Sequence, residues 1–209
     1  MPFDRRTLLL GAVTALTILM SHPLAAQTFP SKPITIVVPA AAGGPTDAVA
    51  RLIGESMSRT LGQSVLVENI GGAGGTLGMA RVAKTPADGY TLTVWHIAQA
   101  TAPALYDSIK YDVLNDFDPI GRITDVPMTL VSKLALPPNN VTEIVAWMKA
   151  NNEKATYGHA GIGPASPLCL LGLMKEIGIQ MNGVPYRGTG PAMNDLLGGQ
   201  FDVMCDQTT

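Results

Sequence analysis

From Ile34 onward, short β-branched runs alternate with segments whose apolar residues recur at helical spacing, and three of the joints between them are rich in glycine. Ile34-Thr-Ile-Val-Val38, Ser64-Val-Leu-Val-Glu68 and Tyr90-Thr-Leu-Thr-Val-Trp95 read as strands. Between them, residues 45–61 place Ala48, Val49, Leu52, Ile53, Met57 and Leu61 on one helical face, and a shorter helix is expected over 75–84. The pattern loosens from Gln99 through Ile120 and resumes with a strand-like run over 127–136. Helices are then expected over 141–151, 165–177 and 191–197, and strands over 155–158, 183–186 and 201–205. Strict alternation of this kind predicts an α/β fold of mainly parallel sheets flanked by helices, with ligands bound beyond the carboxyl ends of the strands. A boundary near 120–126 divides the chain into lobes at 27–122 and 123–209.

The glycine joints are Pro39-Ala-Ala-Ala-Gly-Gly-Pro-Thr-Asp47, Asn69-Ile-Gly-Gly-Ala-Gly-Gly-Thr-Leu-Gly78 and Ala160-Gly-Ile-Gly-Pro-Ala-Ser166. Each sits where a strand gives way to a helix. Glycine lets backbone amides approach a ligand closely, and the first amides of a helix carry partial positive charge, so such loops side by side make a socket for a small anion such as a carboxylate. The simpler reading of the first loop is that Thr46 or Asp47 caps the following helix. A dinucleotide site is disfavoured because Leu77 stands where the third glycine of G-x-G-x-x-G belongs, and no G-x-x-x-x-G-K-[ST] loop occurs.

Little else in the chain suggests chemistry. Charged residues make up 14% of it, its formal charge is −2, and no Lys/Arg cluster occurs, which disfavours nucleic acid and anionic membranes as partners. No metal-ligand spacing, G-x-S-x-G elbow or H-E-x-x-H motif is present, so neither a metal nor a cofactor is expected and catalysis is not. His96, at the carboxyl end of the third strand, either faces a ligand or is a hydrogen-bonded loop histidine; His159 reads as structural. Arg187 is either a carboxylate fork or one half of a surface ion pair, and Tyr186 either closes over a ligand or packs. Cys169 and Cys205 lie in apolar company and read as two buried thiols in preference to a bridge. At the start, Arg5-Arg6 precede an apolar stretch from Leu8 to Met20 and then Leu24-Ala-Ala26, which reads as an export signal over 1–26 cleaved after Ala26.

Taken in order, several motifs resemble the Bug proteins, the extracytoplasmic solute receptors of tripartite tricarboxylate transporters. They are the export signal, the first loop with Ala50-Arg51, Glu68-Asn69 running into Gly74-Gly-Thr-Leu-Gly78, Ala87-Asp-Gly-Tyr-Thr-Leu92, and Val184-Pro-Tyr-Arg-Gly188 running into Asp195-Leu-Leu-Gly-Gly-Gln200. The resemblance implies a two-lobed periplasmic-binding-protein fold of type II that closes over a small organic carboxylate and hands it to membrane components of the transporter. It implies ligand contacts from Ala42, Gly43, Gly44, Thr46 and Asp47 in the first loop and from Gly74, Gly75 and Thr76 in the second. In the third loop Pro164 and Pro167 replace the family's Ser and His, and Ser166 is left to supply a hydroxyl. Members continue beyond the point that corresponds to Thr209, so a receptor lacking its C-terminal return segment is expected. The competing expectations are an exported enzyme using Asp47, Asp206 or His96, and a truncated receptor without function.

Overall fold

A computed structural model of the protein describes residues 28–208, and the export signal expected over 1–26 lies outside them. Among the described residues, the regular elements all fall within one compact unit that begins at Lys32. The first sheet is built from β1 (Ile34–Val38), β2 (Val65–Asn69) and β3 (Thr91–Thr93), all parallel, in the order β2-β1-β3. Ile36 and Val38 on β1 are buried with Ala50 of helix α1 (Pro45–Leu61), and Met57, Val65, Val67 and Leu92 pack around them. Pro45 and Asp47 open α1 and Arg59 closes it against the helix dipole; Gly62, at φ +65°, ends it by returning its amide to the Ser58 carbonyl. A short 3-10 turn at Ala73–Gly75 leads into α2 (Thr76–Val82), which packs against β1 and β3.

The second sheet has the order β4-β7-β5-β6, made of β4 (Met128–Ser132), β5 (Thr156–His159), β6 (Asn182–Pro185) and β7 (Val203–Gln207). Helices cover both faces. On one, α4 (Val141–Ala150) and α5 (Ala165–Ile177) bury Ile144, Met148, Leu170 and Met174 against Tyr157, Val203 and Cys205; on the other, α6 (Thr189–Leu197) buries Ala192 and Leu196 against Phe201 and Met204. Alternate residues of β7 thus serve opposite cores, as the strand period of two requires. The α/β class holds, with one refinement: β4 runs antiparallel to β7, so this sheet is mixed.

Two expectations are corrected. The stretch after Gln99 is not wholly irregular, because Ala98–Leu105 forms α3 with Pro103 inside it. Cys169 and Cys205 are not separate thiols but a disulfide, since α5 lies across β7 and brings their Cα atoms to 6.0 Å, within bridging range.

Candidate functional site

Parallel pairing sets the carboxyl ends of the strands, and the loops that follow them, on one side. Val38 is level with Asn69 in the first sheet and His159 with Pro185 in the second. The loops after β1, β3, β5 and β6, the 3-10 turn, and the last residues of β7 enclose a narrow cleft lined by Pro39 to Ala41, Gly44 to Asp47, Gly75, Trp95, His96, Ala160, Pro164 to Ser166, Arg187 to Thr189, Asp206 and Gln207. The space between these walls is about 20 Å³, room for about one water. The opposing loops touch directly. The Ala41 amide donates to the Arg187 carbonyl at 3.2 Å, Thr101 Oγ1 to the Gly163 carbonyl at 2.8 Å and the Tyr106 hydroxyl to the Ile162 carbonyl at 2.9 Å. A Cβ on Gly188 would lie 2.8 Å from the Ala41 nitrogen, so only glycine permits this approach.

Helices α1, α5 and α6 begin in the cleft wall, with Gly44, Pro164 and Gly188 at their N-cap positions, and none of these residues offers a capping side chain. Helix α4 starts away from the cleft and differs. Its Asn140 accepts from the Glu143 amide at 3.0 Å, while Glu143 accepts in return from Asn139 and Asn140. The three helix starts that face the cleft therefore have no side-chain acceptor for their first amides, an arrangement suited to an anion.

Asp47 does not extend into this space as a free carboxylate. One oxygen accepts from the Gly43 amide at 2.9 Å and Arg51 Nε at 3.0 Å, and the other from Asn69 Nδ2 at 3.0 Å. Burial opposes its ionisation, but the bonds from Arg51, Gly43 and Asn69 and the Arg51 charge prevail and hold the carboxyl below its usual range. Because Asn69 Nδ2 also reaches the Ala40 carbonyl at 3.3 Å, this cluster ties the loop after β1 to the end of β2.

His96 lies against Trp95, ring centroids 3.9 Å apart, and its Nδ1 accepts from the Ala98 amide at 3.3 Å, which leaves the proton on Nε2. Burial pushes its pKa down to about 4, so at neutral pH it is an uncharged donor. Arg187 is exposed at the rim and forms no ion pair among the described residues.

Of the residues singled out in the sequence, the structure gathers Gly44, Thr46, Asp47, Gly75, His96, Ser166 and Arg187 around the cleft. The others stand back from it. Gly43 gives its amide to Asp47, Thr76 Oγ1 bonds the Ala73 carbonyl at 2.9 Å, Gly74 lies under the Ile162 carbonyl, and Ala42 is exposed beside Gly190. Tyr186 turns into the α6 core, where its hydroxyl donates to Asp195 at 2.7 Å and its ring meets Phe201; burial and that carboxylate push its pKa up to about 12. His159 is buried with Nδ1 2.9 Å from the Gly161 carbonyl, as a structural histidine would be.

Sequence reasoning did not assign Trp95, Gly188, Thr189 or Gln207 to the site, and it weighed Asp206 only as an enzyme's acid. Gly188-Thr189 repeats the glycine-to-helix joint of the other loops, a signal that was available. Asp206 and Gln207 carry none until β7 is paired in parallel with β5, which brings their end of the strand to the cleft.

Comparison with known proteins agrees with this architecture. A protein of Agrobacterium vitis, the UPF0065 protein in the TAR-I ttuE-ttuC' intergenic region, is 52% identical over 193 residues, covering 92% of this chain. The chain spans only 56% of that relative's length. The periplasmic binding protein BugD superposes with a TM-score of 0.83 at 50% identity, over 86% of this chain and 60% of its own. MatC of Rhodopseudomonas palustris, solved with bound malate, superposes with a TM-score of 0.79 at 42% identity, over 86% of this chain and 61% of its own. The model of the tripartite tricarboxylate transporter family receptor matches residues 49–209, and the chain belongs to that family.

Proposed function

We propose that this chain is a periplasmic solute receptor that captures a small organic carboxylate between lobes at 27–122 and 123–209 and delivers it to a tripartite tricarboxylate-type membrane transporter. The observation that carries the reading is the convergence of three helix starts without side-chain caps on one cleft, where first-turn amides suit a carboxylate's oxygens. The malate bound to the relative MatC supports the substrate class, and the BugD likeness, with the signal read over 1–26, supports the periplasm.

In this reading the amides and side chains around Gly44, Thr46, Gly75, Ser166 and Arg187 hold the acid, and His96 donates from Nε2. Asp47 acts through the loop it braces and leaves the acid to its neighbours. The loops must part to admit a dicarboxylate, because the space now enclosed is about 20 Å³, and the contacts of Ala41 with Arg187 and of Thr101 with Gly163 are those that break and reform. Incubation with a mixture of dicarboxylates, followed by mass spectrometry of what the protein retains, tests it. A receptor returns a bound acid unchanged. A converted acid would favour an exported enzyme, and retention of none would contradict the receptor reading.

A further inference from the structure

Two polar atoms in the wall of the cleft have no hydrogen-bond partner among the described residues and are shielded from water: Ser166 Oγ at the start of α5 and Asp206 Oδ2 at the end of β7. Their residues are 2% and 6% exposed. Elsewhere in the fold, the buried Asp47 is satisfied by three donors, and the half-buried Asp202 by Thr156 and Lys133. An unpaired buried polar atom is costly, so two in one small cleft, a hydroxyl and a carboxylate oxygen, mark the place where a ligand supplies the missing partners.

The chemistry of that group follows from what Asp206 Oδ2 can accept. The Asp206 carboxylate lies beside Thr189 and Gln207 in the cleft wall, and its Oδ2 is an acceptor that receives no hydrogen bond from any described residue. A plain carboxylate cannot meet it, since ionised oxygens only accept. We infer that the acid bound here carries a hydrogen-bond donor, a hydroxyl or an ammonium, on its carbon chain, and that Asp206 Oδ2 accepts from it with Ser166 Oγ alongside. The inference rests on the carboxylate-receptor reading and narrows it: Asp206 becomes a specificity residue, and the ligand a hydroxy- or amino-substituted acid. The disulfide supports the geometry, because it joins Cys169, one turn beyond Ser166, to Cys205, the neighbour of Asp206, and so fixes the two atoms' supporting elements to one another.

Succinate, malate and aspartate differ only in carrying a hydrogen, a hydroxyl or an ammonium at one carbon, and calorimetric titration of the full chain with each is the test. At neutral pH the better of the two substituted acids should bind at least about tenfold more tightly than succinate, as expected of a hydrogen bond to a charged group, and which of them wins names the donor. Asp206→Asn keeps the side chain's shape but replaces one accepting oxygen with an amide donor, so the preference should fall below about threefold while succinate affinity changes little. Equal affinity for all three acids in the wild-type protein, which needs no variant to fold, would overturn the inference and leave the receptor reading standing. So would a preference that survives Asp206→Asn, or succinate binding that strengthens on acidification with no preference, which would make Asp206 a protonated donor to the acid. Binding of none of the three would overturn both readings.

Discussion

Replacing Gly75 with alanine is the sharpest perturbation of the cleft that leaves the rest of the fold untouched. Gly75 sits at φ +95°, and a Cβ there would press into the Trp95 indole, 2.8 Å from Cε2. The left-handed backbone costs roughly 1–2 kcal/mol for a residue with a Cβ, and forcing a packed ring aside costs about 1–3 kcal/mol more. The total of about 2–5 kcal/mol lies below the usual stability of a domain of this size, so the variant should fold with a melting temperature lower by roughly 4–20 °C. Gly178→Ala separates the two causes. Gly178 has φ +71° and nothing within 4 Å of an added Cβ, so it should show only the backbone strain, roughly 2–8 °C. The functional consequence is specific to Gly75, because Trp95 stacks on His96 and both line the cleft. Thermal melting with calorimetric titration of a dicarboxylate should therefore show Gly178→Ala binding as the wild type does and Gly75→Ala weakened at least about tenfold. If Gly75→Ala melted with Gly178→Ala and bound with unchanged affinity, neither the clash nor the placing of Gly75 in the site would stand.

Three further outcomes follow from the same geometry. Asp47→Asn puts an amide donor where Gly43, Arg51 and Asn69 all donate, and should destabilise the protein by about 2–3 kcal/mol, read as a lower urea midpoint; in the wild type the Asp47 contribution is present above the ordinary carboxyl value of 3.8 and is lost as pH falls through its lowered folded pKa. His96, with a folded pKa of about 4 against 6.5 unfolded, should make stability fall as pH drops from about 6.5 to about 4, at most by about 1.4 kcal/mol per pH unit; the raised Asp206 pKa acts with the opposite sign above 3.8, so the check is that His96→Gln flattens the acid slope relative to wild type. Reducing Cys169–Cys205 frees α5 from β7 and should cost about 2–4 kcal/mol of stability, with weaker acid binding, measured by melting and titration with and without reductant.

How much of this was legible in the sequence depended on whether the signal was local. β1, α1 and α5 declared themselves because their apolar spacing is regular and their ends carry proline or glycine at the right positions. Helix α3 did not: Gln99-Ala-Thr-Ala-Pro103 has no polar face and holds a proline, so its helicity comes from packing that no periodicity records. The glycine loops led to Gly44, Gly75 and Ser166 because a joint between strand and helix is a local pattern. Tyr186 and Arg187 looked equivalent, yet consecutive residues leaving a strand point to opposite sides, and Tyr186 went to the core while Arg187 stayed at the rim. The disulfide, spanning 36 residues, and the carboxylate of Asp206 are set by how α5 and β7 meet, and nothing near them in the sequence reports it.

The central claim is that backbone amides at the starts of these helices hold a carboxylate. A crystal structure of the protein grown with a saturating C4 dicarboxylate tests it most directly. The account predicts a carboxylate in the cleft with oxygens about 2.7–3.2 Å from backbone nitrogens at the start of α1 and of α5 or α6, and the loops around Ala41 and Arg187 displaced to admit it. An acid bound elsewhere on the surface, with the cleft still closed, would contradict it.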